Sequence, residues 1–306
     1  MALDTARAVA NVRGLTAKFD IGVSGGAPFY PNLCTIVPST GSDEKYGFLG
    51  AMPGVREWLG DRQFQSLRAG DYTLANKKWE SSIGIEKDDI DDDRLGMYGP
   101  VLEQLGMEAA YHPDELLITA IENGESTACF DGQYFFDTDH SWGSSGTQDN
   151  DLTGAAATGT QPTVAELKAA FRACVTALLG YKNDAGKLLN RPVIRTMNDL
   201  TLVVPLAFRD VAHDTFDAVL IGNGESNVVI DRPNIVCLPG LASSAKFYVF
   251  ATGGVLKPFV FQARTPLSRQ MKGMDDREFK DVKFMTDARY NLGYLAWWNA
   301  VLYTFT

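Results

Sequence analysis

Between Asn32 and Glu86 the chain alternates short β-like runs with turn-forming residues. The clearest run is KKWESSIGIE, in which Trp79, Ser81, Ile83 and Ile85 fall on one face. Charged or small residues fall between them, and such period-two patterning is typical of a β-strand. We therefore predict a long strand or a hairpin arm in this region.

Apolar residues at helical spacing follow an aspartate-rich run, from Leu95 to Ile121. They predict one helix of about 30 residues, with acidic residues at its positive end and Gly124 at its exit. Pro113 removes a backbone donor, and several glycines lower the helix propensity of this stretch. A bend or a break is therefore expected near Pro113.

A second helix begins at the sequence T-V-A-E, where Thr163 and Glu166 have the spacing of a capping box. The helix is predicted to end at Gly180. The residues that form its apolar stripe are Leu167, Ala170, Phe171, Cys174, Val175 and Leu178.

The remaining segments predict a mixed α+β domain. A short helix is predicted in AFRDVAHDTF, residues 207–216. The β-like runs around it are PVIRT (192–196), LTLVVP (200–205), NVVID (227–231), NIVCLP (234–239), KFYVFA (246–251) and VLKPFVFQA (255–263).

The two ends of the chain give different patterns. Residues 1–20 predict a short amphipathic helix, and the breaker-rich stretch from Gly22 to Pro31 predicts that this arm is joined loosely to the body. The last residues, from Glu278 onward, are β-prone and aromatic. Because so apolar an end is normally tied into a sheet, we expect it to pair with strands near the long helix.

Composition and charge narrow the possible functions. The 306 residues are 45% hydrophobic and 22% charged, which is ordinary globular usage. The net charge of −10 disfavours a protein whose main task is to neutralise phosphates. No stretch reaches the roughly 20 apolar residues of a membrane span, and the N-terminus does not have the pattern of a signal peptide. The four cysteines are isolated, which predicts reduced, mostly buried thiols.

The best enzymatic pattern is F-D-T-D-H, with Asp137, Asp139 and His140 after strand-like aromatic residues. Two carboxylates so placed could hold Mg²⁺ for phosphoryl transfer, although a turn built by aspartate side chains is the favoured interpretation. The other two histidines, His112 and His213, are far apart and are interpreted as structural or exposed. No catalytic residue, cofactor or metal is expected.

The acidic run consists of Asp88, Asp89, Asp91, Asp92 and Asp93. It lacks the glycine and the distal glutamate of a calcium-binding loop, so a solvated helix entrance is the favoured interpretation.

The predicted elements are an N-terminal arm (1–20), a β flap (32–86), the long helix, the mixed domain and a β tail (278–306). Together they resemble the capsid fold of tailed phages and herpesviruses, the Hong Kong phage-type fold. A more specific resemblance, to the Mu-like major head subunit family, is closest from Phe29 to His140. It is carried above all by FYPNLCTIVPSTGSDEKYGFLGAMPGVREWLGDRQFQSLRAGDYTLANKKWESSIGIEKDDIDDDRLGMYGP.

This resemblance implies a division into an N-terminal arm (1–40), an extended loop (41–86), a peripheral domain with the long spine helix (87–127 and 262–306) and an axial domain (128–261). It also implies self-assembly as hexamers and pentamers into an icosahedral head around double-stranded DNA. The implied partners are further copies of the chain and scaffold, portal and decoration proteins, with assembly in the host cytoplasm and a final location in the virion. DNA would be only a non-specific neighbour.

Two sets of site residues follow as expectations. The acidic run is expected to face the lumen, since a wall around packed DNA should not hold phosphates. Inter-subunit contacts are expected from the apolar residues of the flap, which an isolated ribbon could not bury, with ordinary sheet core as the competing interpretation. These residues are Trp58, Phe64, Leu67, Tyr72 and Trp79.

Other functions stay open at this stage. A tail-tube or decoration subunit would share the acidity and the β content, although a tube protein would normally be shorter and lack the long helix. A metal-dependent phosphohydrolase using Asp137 and Asp139 is the enzymatic alternative.

Overall fold

The structure is a computed structural model with five described helices and thirteen described strands. It describes residues 2–46, 72–86, 88–89, 95–217, 220–221, 225–226, 232–272 and 281–306. The helices are α1 (Ala2–Gly25), α2 (Tyr30–Leu33), α3 (Leu95–Glu122), α4 (Val164–Gly180) and α5 (Arg209–Phe216). The strands are β1 (Cys34–Pro38), β2 (Asp43–Tyr46), β3 (Tyr72–Ala75), β4 (Lys77–Glu86), β5 (Asp151–Gly154), β6 (Leu200–Val204), β7 (Leu220–Ile221), β8 (Glu225–Ser226), β9 (Asn234–Cys237), β10 (Lys246–Ala251), β11 (Phe259–Lys272), β12 (Asp281–Tyr294) and β13 (Ala300–Phe305).

Two larger sheets organise these elements. The four-stranded sheet has the order β1-β11-β12-β4, in which β1 is parallel to β11 and the other pairs are antiparallel. The five-stranded sheet has the order β5-β13-β10-β6-β9 and packs against α4. The α+β fold class is therefore confirmed, and the proposed division into four domains stays a prediction.

The first helix is longer than predicted and lies along α3. It continues through Gly22 to Gly25, so the expectation of a loose joint from Gly22 onward is wrong. Lys18 pairs with Glu103, and at Gly22 the two helices are so close that a Cβ atom would lie 1.9 Å from the carbonyl oxygen of Glu103. Gly22 was expected to end the helix, because glycine commonly does so. In this structure it instead allows two helices to come into contact.

The long helix α3 is continuous over 28 residues and includes both Pro100 and Pro113, so no break occurs at Pro113, and a bend there stays a prediction. Each internal proline costs about 3 kcal/mol in an unsupported helix. The buried side chains of Leu102, Leu117 and Ile121 offset this cost, since each removes a large apolar surface from water.

The end of the chain is divided between the two sheets. β12 pairs with β4 beside α3, as expected, but β13 pairs with β10 and β5 in the other sheet. The redirection occurs at residues 295–299, where Trp297 and Trp298 are buried in the core. The predicted pairing is thus correct for β12 and wrong for β13.

Residues 192–196 were predicted as a strand and form turns instead. The cause is local, because the Asp199 carboxylate accepts hydrogen bonds from the backbone N–H groups of Arg195 and Thr196. Such side-chain bonds compete with the pairing of a strand.

The predicted capping box of α4 is confirmed. Thr163 Oγ1 accepts from Glu166 N at 3.3 Å, and the Glu166 carboxylate accepts from Thr163 N at 2.7 Å. The whole predicted apolar stripe of this helix is buried.

Thr163→Ala should lower the free energy of unfolding by about 1 kcal/mol, because the N–H of Glu166 loses its acceptor. Urea unfolding measures the change. Thr176→Ala, at an exposed position in the same helix, is the control and should stay within about 0.5 kcal/mol of the parent. Equal effects of the two changes would contradict the capping role.

Candidate functional site

The predicted extended loop has a two-stranded base. β2 and β3 pair in antiparallel fashion, from Asp43 opposite Ala75 to Tyr46 opposite Tyr72. Residues 47–71, which connect these strands, lie outside the described residues. The contact candidates Trp58, Phe64 and Leu67 belong to this segment and are therefore not placed. After the base, β4 joins the four-stranded sheet along β12.

Tyr72 and Trp79, the two described contact candidates, pack within the chain. The hydroxyl of Tyr72 accepts from Tyr294 N at 3.0 Å, and burial raises the pKa of this phenol. The indole N–H of Trp79 donates to the carbonyl of Tyr290 at 3.0 Å. These bonds agree with the sheet-core interpretation for the two residues, and their contact with a second copy stays a prediction.

A groove of about 210 Å³ lies between α3 and the sheet, beside Trp79. Its floor includes Leu105 and Leu267, and Glu108 stands at its side. The ring of His112 packs against Trp79 with centroids 4.4 Å apart. Burial lowers the pKa of His112, so the imidazole is neutral at pH 7. The apolar side chains and the neutral imidazole suit packing, and the carboxylates that share the lining are those of Glu80, Glu108 and Glu115.

The acidic run lies at the entrance of α3, but only two of its members are described. Asp88 is exposed, and Asp89 accepts a hydrogen bond from the Tyr98 hydroxyl on the first turn of α3. Residues 91–93 lie outside the described residues, so Asp91, Asp92 and Asp93 are not placed. That this run faces the lumen stays a prediction.

The carboxylates of F-D-T-D-H build turns, as the favoured interpretation held. Asp137 accepts from the backbone N–H groups of Tyr134 at 3.1 Å and Thr138 at 2.8 Å. Asp139 accepts from the side-chain amide of Gln133 at 2.6 Å. The bonds of Asp137 agree with the turn interpretation, and Asp139 is exposed.

His140 points away from those carboxylates and meets Asp131 and Cys129. Its Nδ1 lies 2.7 Å from Oδ2 of Asp131, and Cys129 donates its S–H to Oδ1 of the same carboxylate at 2.8 Å. Burial by itself raises the pKa of Asp131. The hydrogen bonds from His140 and Cys129 lower it, and the net result is a pKa below the ordinary value. Sequence analysis missed this cluster, because the spacing C-x-D-x8-H matches no familiar motif.

All four cysteines are free thiols, and Cys34, Cys129 and Cys174 are buried. Burial raises the pKa of each of these three thiols. They are therefore protonated at neutral pH, as expected of structural cysteines.

Asp151, on β5, stands among other carboxylates. Partial burial, with Glu125 as the next cause, raises its pKa to about 6, and Lys246 opposes the shift. A carboxyl with a raised pKa in the folded state favours folding when protonated, so its ionisation removes stability as the pH rises from about 4 to above 6.

Asp151→Asn should therefore raise the free energy of unfolding at pH 7.5 by up to about 1 kcal/mol, a value reduced for the half-exposed position. The gain should largely vanish at pH 3, below the pKa of both the unfolded and the folded state, where the parent side chain is mostly neutral in both. Thermal unfolding at the two pH values checks this. A gain of equal size at both would show that the carboxylate charge is not the cause.

Among the described residues, some large apolar side chains remain exposed. On α3, Met97 is 74% and Val101 46% exposed, and elsewhere Leu206 is 64% and Val255 90% exposed. None of the described helices has the length and apolarity needed to cross a membrane.

Comparisons of the sequence identify relatives. The family model "Mu-like prophage major head subunit gpT" matches residues 9–164. The Mu-like prophage FluMu major head subunit of Haemophilus influenzae is 42% identical over 127 residues, which are 42% of this chain and 41% of that protein. The major capsid protein of Escherichia phage Mu is 38% identical over 122 residues, 40% of each chain. The chain thus aligns with about two fifths of each curated relative.

Comparisons of the structure identify shared folds. The procapsid of bacteriophage JBD30 matches with a TM-score of 0.59 and 24% identity, over 98% of this chain and 75% of that one. The mature capsid of bacteriophage PhiM1 matches with a TM-score of 0.60 and 13% identity, over 92% and 87%. A virus-like particle from Pyrococcus furiosus matches with a TM-score of 0.54 and 11% identity, over 95% and 98%. At these identities the likeness is one of fold.

Proposed function

The chain belongs to the Mu-like prophage major head subunit family, and we propose that it is the shell-forming subunit of a tailed-phage head. The observation that carries the proposal is the family match over residues 9–164, joined to a fold shared with capsid proteins over nearly the whole chain. The hairpin base at β2 and β3 supports it, because it stands where the extended loop is predicted to leave the body.

The proposal includes the way in which copies assemble. Hexamers and pentamers of the chain would form a closed icosahedral shell, guided by a scaffold and joined by portal and decoration proteins, and the mature product would be the virion. Exposed apolar side chains such as Met97 and Val255 support contact between copies, since other subunits would remove them from water. Each contact is modest, and repetition supplies the stability.

Packaged DNA would be a neighbour and not a ligand of this shell. The net charge of −10 supports this, because acidic groups outnumber the cationic groups that would release counterions from phosphates. The enclosed duplex could then move during packaging and ejection. The acidic run before α3 is the proposed inner-wall segment, and a structure of the assembled shell that placed Asp88 and Asp89 on the outer surface would contradict it.

Negative-stain electron microscopy tests the proposal against its nearest alternatives. The protein should be imaged alone and after co-expression with the scaffold of the same phage. Closed shells of uniform diameter are the expected result. Tubes would indicate a tail-tube subunit, and dispersed particles under both conditions would contradict the assembly function.

Trp58→Ala and Phe64→Ala should each leave a folded, soluble subunit that assembles poorly. Loss of one buried aromatic side chain removes about 2 kcal/mol from each contact, which is more than a tenfold loss of affinity. The measurement is the fraction of protein in shells after gradient sedimentation. Trp58→Phe is the matched control and should retain most assembly. If both alanine variants assembled like the parent, the flap assignment would be wrong.

A further inference from the structure

Three side chains with metal-ligating atoms meet in the segment that joins α3 to β5. Cys129, Asp131 and His140 each offer one atom, and these atoms all lie within 4.8 Å of one another. Asp131 stands in the middle, with Sγ of Cys129 at 2.8 Å from one carboxylate oxygen and Nδ1 of His140 at 2.7 Å from the other. A single ion could therefore contact all three residues.

The three side chains are largely buried, and neighbouring groups hold them in place. The side chain of His140 is fully buried, that of Asp131 is 6% exposed, and Cys129 is 6% exposed. The imidazole stacks on Trp297 with ring centroids 3.9 Å apart and planes 8° apart. Its Nε2 has no hydrogen-bond partner within the described ranges, so stacking and Asp131 alone orient the ring.

The turn that carries the first two residues is equally constrained. The backbone N–H of Cys129 donates to the carbonyl of Gln133. The backbone N–H of Gln133 donates in turn to the carboxylate of Asp131. Gly132 adopts a positive φ of 88°, which closes the turn and directs both side chains inward. A preorganised site of this kind loses little freedom when an ion binds.

We propose that Cys129, Asp131 and His140 bind one Zn²⁺ ion. Thiolate, imidazole and carboxylate are the three ligand types that this ion takes in proteins, at about 2.0–2.3 Å, and a water would complete the tetrahedron. On binding, the thiol would release its proton to solvent, and the ring proton that Nδ1 of His140 now donates to Asp131 would move to Nε2, which leaves the Nδ1 lone pair for the ion. The two separations from the Asp131 carboxylate, 2.8 Å to Sγ of Cys129 and 2.7 Å to Nδ1 of His140, would need to open by less than about 1 Å to reach tetrahedral spacing.

The ion would fasten the segment before β5 to the core. It would replace two hydrogen bonds with three bonds to one centre, directly beside the indole of Trp297. This inference does not depend on the proposed function, because it concerns a buried site inside one chain.

Titration of the full, metal-depleted chain with Co²⁺ tests the site, since a cobalt ion bound by a thiolate in a tetrahedral site gives an intense near-ultraviolet charge-transfer band. We expect this band to appear at one equivalent and to disappear when Zn²⁺ is added. Cys129→Ala should abolish the band. Cys174→Ala, which removes another fully buried thiol, should retain it.

Asp131→Asn provides a second variant that keeps the thiol and the side-chain shape. It should retain the band with an affinity for Co²⁺ reduced at least about tenfold. Absence of the band in the parent would overturn the proposal and leave the three residues as a hydrogen-bonded cluster. A band that survived in Cys129→Ala would overturn it as well, because another thiol would then be the ligand.

Discussion

Gly106→Ala should detach α1 from α3 and destabilise the subunit by about 3 kcal/mol. A Cβ atom at this position would lie 2.2 Å from the carbonyl oxygen of Phe19 and 2.9 Å from the amide nitrogen of Val23. Both obstacles are backbone atoms that cannot turn aside, so the helices must separate by about 1 Å. Gly22→Ala should act alike, since its Cβ would lie 1.9 Å from the carbonyl oxygen of Glu103.

Hydrogen exchange and thermal unfolding measure this effect, because detachment should expose the amides of α1 before the rest unfolds. Gly14→Ala is the matched control on α1. Its Cβ would meet nothing within 4 Å, so alanine should stabilise the helix by about 0.5–1 kcal/mol. Opposite signs at Gly14 and Gly106 are therefore expected. Similar protection of α1 in Gly106→Ala and the parent would contradict the close helix contact.

Asn150→Ala should cost about 3–5 kcal/mol and prevent accumulation of folded subunit at 37 °C. The side chain is fully buried. Its Oδ1 accepts from Asp137 N at 2.8 Å, while its Nδ2 donates to the Phe135 carbonyl at 2.8 Å and to the carbonyls of Trp297 and Ala300 at longer range. Alanine would leave these backbone groups buried without this partner, which carries the full desolvation cost.

Urea unfolding of the unassembled subunit checks the prediction. Asn198→Ala is the control, because Asn198 is exposed and its replacement should change stability by less than about 0.5 kcal/mol. Comparable stability of the two variants would show that Asn150 is not a link between the loop and the terminal segment.

Regular elements with a strong local signal could be predicted from the sequence. The capping box at Thr163 and the period-two pattern around Ile83 depend on neighbouring residues alone, and both predictions are confirmed. Elements that depend on contacts with distant residues were harder to predict. Pro113 and Gly22 are helix breakers by local propensity, yet both lie inside helices that tertiary packing supports.

The site residues divide in the same way. Asp137 could be predicted as a turn-forming residue because its bonds reach only neighbours, whereas the meeting of Cys129, Asp131 and His140 depends on how a loop folds back. The contact candidates are harder still, since contact between copies is not a property of one chain. Tyr72 and Trp79 illustrate this, because each already has partners inside the subunit.

The described contacts also change how the N-terminal segment is understood. Leu15 and Phe19 are buried with Leu102 and Phe284 in a small apolar cluster of their own. The part of α1 that meets α3 is therefore packed into the body of the subunit, and is not a free arm in this structure.

Sedimentation velocity of the subunit over a wide range of concentration, alone and with its scaffold, tests the shell-forming function most directly. Because apolar surface on the subunit is expected to be covered only by further copies, the proposal predicts that the slow species gives way cooperatively to very large, uniform particles as concentration rises. A compact monomer at every concentration under both conditions would contradict it.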